Sequence, residues 1–270
     1  MSQPRQAPKL TVEQEPFLIV RSLATQYSSG YQMHEHTHPW RQLLYATSGA
    51  MTVYAGRWSW IIPPGKAVFI PAGCRHSMRM WGEVAMRSLY FPADLQAAGL
   101  DAGECFVLSV TPLLRELILH ACKFKRLCKG ASAERRIIEI IVEQLKAVDS
   151  IPLQLPHPTD ARAMRVVKAL LADPGDQRDL GKLCKDCGAS KRTIQRVFLE
   201  ETKMNFGKWR QQLRLLHGLQ LLASGEKVTA AALEAGYSSP SAFISMFRKQ
   251  LGTTPMRYLG DGNGREPRGN

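Results

Sequence analysis

Apolar and polar positions divide the 270-residue chain into two stretches of different period. From residue 16 to 91 the apolar residues fall in short runs: QLLYAT (42–47), MTVY (51–54), WSWII (58–62) and AVFIP (67–71). Gly49, Gly56, Pro63-Pro64-Gly65 and Ala72-Gly73 separate them. Short, closely spaced strands with turns between them predict a small β-barrel or sandwich. After about residue 110 the period becomes helical. Thr111-Pro112 opens a helix, with Pro at the first helical position, and Leu113, Leu114, Leu117, Ile118 and Ala121 form its apolar face. A second helix from Ser132 carries Ile137, Ile138, Ile141, Val142 and Leu145 at helical spacing. Both helices must bury those faces, against either the barrel wall or a second subunit.

The segment IPLQLPHP (151–158) has three prolines in eight residues and fits an interdomain linker between a first domain, 1–150, and a second, 159–270. The second domain is helical throughout. Thr159 or Asp160 caps its first helix, and Asp173-Pro174-Gly175 ends it. It also repeats itself. Gly188-Ala189-Ser190, Phe198, Met204-Asn205-Phe206 and Trp209 recur as Gly236-Tyr237-Ser238, Phe247, Thr253-Thr254-Pro255 and Tyr258, offset by 48 and then 49 residues. Each copy is a short helix, a Gly-containing turn and a second helix, which is the helix-turn-helix plan.

In the first copy Leu180, Leu183, Cys184 and Cys187 face inward at i, i+3, i+4, i+7, as do Ile194, Val197 and Phe198 on the next helix. The opposite arc presents Lys191, Arg192, Gln195 and Arg196. Arg and Lys can bond guanine O6 and N7, and Gln can bond adenine N6 and N7. In the second copy Ala242, Phe243, Met246 and Phe247 face inward, leaving Ser239, Ser241, Ile244 and Ser245 outside, with Arg248 and Lys249 farther along. That face lacks a long bidentate donor near its start. The first copy is therefore expected to read bases, and the second to contact phosphates. Residues 206–225 form one long helix joining the two, striped by Phe206, Trp209, Leu213, Leu216 and Leu219 and ended by Ser224-Gly225. Readers fixed this way would occupy successive major-groove turns about 10 bp apart.

Charge sharpens this picture. The chain has 36 Lys+Arg against 23 Asp+Glu, a formal net charge of +13, and residues 156–270 contribute +8 of it. Such an excess favours a polyanionic partner. A solvated surface would account for one basic helix face, but a repeated helix-turn-helix under a basic excess points to double-stranded DNA. With 44% apolar residues and no apolar run of 18, the chain is expected to be globular, without a membrane span or membrane partner. The polar start MSQPRQAPKLTVEQEP lacks a secretory h-region, which together with six cysteines too sparse for a disulfide scaffold predicts a cytoplasmic protein. Cys184-x-x-Cys187 lies on an apolar stripe without a second pair nearby and is assigned to packing. His217 is given no role.

The pattern from ASKRTIQRVFLEETKMNFGKWRQQLRLLHGLQLL through VTAAALEAGYSSPSAFISMFRKQLGTTPMRYL resembles the DNA-binding domain of the AraC family of transcription regulators, over residues 160–259. Two positions depart from it: Lys203 stands where the family usually has Gly, and Ser245 where the second reader often has Arg. In the first domain, His36, His38, Gln42 and Gly49 follow HxH(x)3Q(x)6G, and Pro71, Gly73 and His76 follow PxGxxH. Both resemble the two cupin motifs of small β-barrels. The cupin resemblance maps metal ligands to His36, His38, Gln42 and His76, with Gln42 replacing the usual Glu and removing the anionic ligand. His34, His36 and His38 alternate, so on a strand they would share one face.

The expected architecture is thus a cupin-type, jelly-roll-like β-barrel followed by helices, then an all-α domain with two helix-turn-helix units. An effector pocket is expected in the barrel at His36, His38, Trp40, Gln42 and His76, with Trp58, Trp60 and Arg87 as further candidates. His36, His38 and His76 could hold a divalent transition metal. The resemblance implies a non-enzymatic transcription regulator, activator or repressor: a homodimer paired through helices at 111–128 and 132–148, binding a small-molecule effector and promoter DNA and contacting RNA polymerase. The competing readings are a cupin metalloenzyme with an appended DNA-binding domain, and a DNA-repair regulator with a reactive Cys. Gln42 argues against the first, and the lack of an N-terminal four-Cys cluster against the second.

Overall fold

The computed structural model describes residues 18–93, 103–124, 126–128, 132–146 and 153–262. The polar N-terminus and the first two residues of the Pro-rich segment lie outside the described residues. The first domain contains β1 (Leu18–Tyr27), β2 (Gln32–His36), β3 (Trp40–Ala46), β4 (Ala50–Ala55), β5 (Trp58–Ile62), β6 (Lys66–Ile70), β7 (His76–Trp81), β8 (Val84–Pro92) and β9 (Phe106–Ser109). It continues through α1 (Pro112–Ala121), β10 (Arg126–Cys128) and α2 (Ser132–Lys146) to β11 (Gln154–Pro156). Then follow α3 (Ala161–Ala172), α4 (Leu180–Lys185), α5 (Lys191–Thr202), α6 (Phe206–Ala223), α7 (Val228–Glu234), α8 (Pro240–Leu251) and α9 (Pro255–Gly262).

The strands form two antiparallel sheets, β10-β1-β8-β3-β6-β9 and β11-β5-β4-β7-β2, which face each other as a cupin-type barrel. Alternation along β3 sends Gln42, Leu44 and Ala46 inward and Leu43 and Tyr45 outward. The inner residues meet Met51, Val53, Trp60, Ile62, Met78, Met80, Val84 and Met86 in one packed core. The outer residues of the six-stranded sheet, Leu43, Tyr45, Phe69, Leu89, Phe91 and Leu108, are covered by Leu114, Ile118 and Ala121 of α1 and Ile138, Ile141 and Leu145 of α2. The barrel wall therefore buries the two amphipathic helices. Leu113, expected on the buried face, is instead 53% exposed, as is Ile140 at 40%.

The Pro-rich segment is not simply a linker. Gln154–Pro156 pairs antiparallel with Trp58–Trp60 and extends the five-stranded sheet. Pro156 fits there because β11 is an edge strand, with no further strand to receive its missing N–H. Trp209 Nε1 of α6 donates to Pro156 O at 2.6 Å, so the segment is held from both sides.

In the helical domain the caps follow the sequence. Asp160, Asp179, Ser190, Asn205 and Ser239 each accept a backbone N–H at the start of α3, α4, α5, α6 and α8. Helix α6 buries Phe206, Trp209, Leu213, Leu216 and Leu219, and Ser224 caps its end. Its C-terminal half is also buried at Leu215, His217, Gln220, Leu221 and Leu222. The outer face of the five-stranded sheet covers that second side. Gln220 Nε2 donates to Thr52 Oγ1 at 2.7 Å, and Trp81 Nε1 donates to the same oxygen at 2.8 Å. Beside these contacts a cavity of about 480 Å³ opens between the sheet and α3, α6 and α7.

Candidate functional site

Two sites emerge: a basic helix face and a histidine cluster. On α5, Ile194, Val197 and Phe198 are buried, while Lys191, Arg192, Gln195 and Arg196 are exposed on the opposite arc. Arg196 pairs with Glu200 at 3.0 Å, one turn along. On α8, Phe243 and Phe247 are buried, while Ser241, Ser245 and Arg248 are exposed. Ser239 is half-buried, and its hydroxyl caps the helix by accepting from Ala242 N at 3.2 Å. Met246 and Ala242 are only half-buried, so the second reader packs less deeply than its sequence predicts.

The relation between the two units is set by a loop that sequence reasoning missed. Arg210 Nη1 donates to Arg178 O at 2.6 Å, and Arg214 Nη2 to Asp176 O at 2.6 Å. Gln177 Nε2 reaches across to Gly236 O at 3.0 Å, in the turn of the second unit. Gly236 has φ +84, and a Cβ there would lie 2.9 Å from Gly175 O. Glycine is required for both the left-handed backbone and the close approach. The signal was present as Gly236 and two basic residues on α6, but their partners are 32 to 61 residues away and leave no local pattern.

At the barrel mouth, His36, His38 and His76 bring one potential ligand atom each within 4.8 Å of one another. His34 is excluded. It is exposed, and β2 pairs irregularly with β7 between Met33 and His36. The extra residue of a bulge shifts the alternation, so His36 turns inward without His34. The third member of the cluster is His76, placed by the turn Pro71–Cys74, in which Cys74 N donates to Pro71 O and Gly73 adopts φ +74. Gly73 N also donates to His38 O at 2.9 Å, which joins the two cupin-like motifs through the backbone.

Each imidazole is oriented by a main-chain carbonyl. Nδ1 of His36 meets His34 O at 2.9 Å, Nδ1 of His38 meets Trp40 O at 2.7 Å, and Nδ1 of His76 meets Cys74 O at 3.0 Å. A carbonyl only accepts, so each Nδ1 carries a proton, and a ring in its neutral form then keeps its lone pair on Nε2. Burial lowers the pKa of His38 and pushes that of His76 down to about 4, keeping both neutral at pH 7. His76 Nε2 is buried without a hydrogen-bond partner. Three Nε2 lone pairs, each backed by a hydrogen-bonded Nδ1–H, are a donor set suited to a divalent transition metal.

Gln42 sits beneath the cluster, with Oε1 3.0 Å from His38 Nε2 and Nε2 2.9 Å from the Tyr90 hydroxyl and 3.3 Å from that of Ser88. A half-turn of the amide would present its NH2 to the His38 lone pair, the arrangement neutral His38 requires when no metal takes that lone pair. Of the other pocket candidates, Trp40 is buried against Tyr90 and joins the site through its carbonyl. Trp60 belongs to the apolar core, and half-buried Trp58 packs against that core. Arg87 alternates with Ser88 along β8, which places it on the helix-covered side, away from the histidines.

A helix-turn-helix family model matches residues 183–261, and an AraC-like ligand-binding domain matches residues 19–140. The chain is 33% identical over 224 residues to the HTH-type transcriptional regulator NimR of Escherichia coli K12, covering 83% of this chain and 81% of that one. It is 23% identical over 275 residues to the HTH-type transcriptional activator RhaR of Klebsiella pneumoniae, covering 92% and 96%. A crystal structure of ToxT from Vibrio cholerae aligns over 90% of this chain and 98% of its own at 14% identity, with a TM-score of 0.39. The order of domains and the paired helix-turn-helix units define a DNA-binding transcription regulator with an N-terminal ligand-binding domain. The chain belongs to the AraC family. No helix among the described residues is long and apolar enough to cross a membrane.

Proposed function

We propose that this regulator reads promoter DNA through α5, steadies itself on phosphates through α8, and is controlled by an effector bound at the His36–His38–His76 cluster. The effector we assign is a divalent transition-metal ion, held by three Nε2 atoms, with open positions for water or a small ligand. One observation carries this assignment: three buried or half-buried histidines have their Nδ1 atoms committed to carbonyls, which leaves convergent Nε2 lone pairs. The barrel interior is filled by apolar side chains, which favours an ion over a bulky organic molecule. Bound metal would fix the β2–β3 junction relative to β7. The five-stranded sheet meets α6 through Thr52 and Gln220, which gives a route to the DNA-binding domain. An effector acts by favouring one of two arrangements of that interface.

Leu113 and Ile140, left exposed on α1 and α2, support subunit pairing there, consistent with a homodimer on paired promoter sites. The reading places the protein in the cytoplasm with its DNA and has it contact RNA polymerase. It assigns no catalytic turnover. The effector domain covers residues 1–150 and the DNA-binding domain 159–270, and β11 in the segment between them pairs with β5 of the barrel sheet. Metal analysis of protein purified without an affinity tag tests the assignment. One ion per chain is expected, and it should be lost in the His36→Ala/His38→Ala variant together with metal-dependent DNA binding. Equal metal content in both proteins would refute it.

A further inference from the structure

Beside the histidine cluster lies a pair of thiols that the regulatory reading does not use. Cys74 follows Gly73 in the turn that delivers His76, and Cys105 immediately precedes β9. Their sulfurs are 3.8 Å apart. Cys74 is half-buried and Cys105 is 8% exposed. Cys74 Sγ also lies 3.8 Å from Arg75 O, while Cys122 Sγ donates to Leu23 O and Cys187 Sγ to Cys184 O. A disulfide needs sulfurs about 2.05 Å apart, so the two sulfurs must move closer for the bond to form. We propose that Cys74 and Cys105 form a reversible, peroxide-driven disulfide that acts on the histidine cluster through the Cys74 carbonyl.

The chemistry balances with hydrogen peroxide as oxidant. The more accessible Cys74 attacks one peroxide oxygen as thiolate. The O–O bond breaks, the leaving oxygen departs as water with the thiol's proton, and Cys74 becomes a sulfenic acid. Cys105 sulfur then attacks Cys74 sulfur. The S–O bond breaks, and hydroxide leaves with the Cys105 proton as a second water. Two thiols and one peroxide give one disulfide and two waters. The sulfurs lose two electrons, and a dithiol returns them. Disulfides in a reducing compartment are usually transient or redox-sensing, which suits a pair with one accessible sulfur.

The consequence follows from one hydrogen bond. Cys74 O accepts from His76 Nδ1 at 3.0 Å and thereby sets which nitrogen of His76 faces the cluster. Drawing Cys74 toward β9 moves that carbonyl. The inference does not depend on a bound metal, and its test is run on the metal-free full-length chain in EDTA. Stoichiometric hydrogen peroxide should lower the intact mass by 2 Da, and peptide mapping should recover a Cys74–Cys105 crosslink that dithiothreitol reverses. In Cys105→Ser, dimedone should instead trap a sulfenic acid on Cys74, while Cys74→Ser should give neither product. The His76 imidazole resonances should shift on oxidation of wild type and stay in place in Cys105→Ser. Alkylation of both thiols after peroxide, or a crosslink confined to other cysteines, would overturn the site. A Cys74–Cys105 crosslink with unmoved His76 resonances would overturn its coupling to the cluster.

Discussion

Helices α5 and α8 are both twelve residues long, both capped by a serine, and both buried through paired hydrophobic positions. Their outer faces differ. The first turns of α5 carry Lys191, Arg192, Gln195 and Arg196, whereas those of α8 carry Ser241 and Ser245, with Arg248 only near the C-terminal end. One scaffold has been used twice, but only the first copy carries, in the first turns of its second helix, side chains long enough to bond two atoms of a base edge. The second offers short hydroxyls and a late cation, which suits phosphates. Duplication of the fold has therefore not duplicated the outer face.

The strongest way to break the comparison is Arg192→Ala. It should cost about 1–3 kcal/mol on the preferred site, roughly 5- to 150-fold in affinity. Binding to random DNA should change much less, as read by competition titration. Next, Ser245→Arg restores the long donor that the resemblance leads one to expect on the second reader. It should add a base preference worth about 1 kcal/mol about 10 bp from the α5 site, visible as a new conserved position among selected DNA sequences. Arg248→Ala should weaken all sequences alike and lower the slope of log affinity against log salt by about 0.9. Lys203→Gly should leave DNA binding unchanged. Lys203 is the C-cap of α5 at φ 59, a conformation costly for any side chain. Relief of that strain, offset by the freer unfolded glycine, should raise stability by about 0.5–1 kcal/mol in chemical denaturation.

What was legible in the sequence was local. Caps and helical stripes depend on residues a few positions apart, and with the 48–49-residue repeat, which copies that local pattern, they placed α3 through α8. The histidine cluster was half legible. The two motif spacings named His36, His38 and His76, but strict alternation put His34 on the same face, since a bulge in β2 is decided by its pairing with β7. The domain interface was not legible. His217 and Gln220 look like polar interruptions of α6, yet both are buried beside Thr52 and Trp81, more than 130 residues earlier. The tolerance of edge strands for proline likewise hid β11 in an apparent linker.

The unequal roles of α5 and α8 are tested most directly by selecting bound sequences from a random DNA pool with wild type, Arg192→Ala and Ser241→Ala/Ser245→Ala. Wild type should yield one strongly conserved block, flanked about 10 bp away by a weakly conserved one. Arg192→Ala should blur the strong block, and the double serine variant should leave it intact. Two equally conserved blocks, with the second erased by the serine substitutions, would contradict the account.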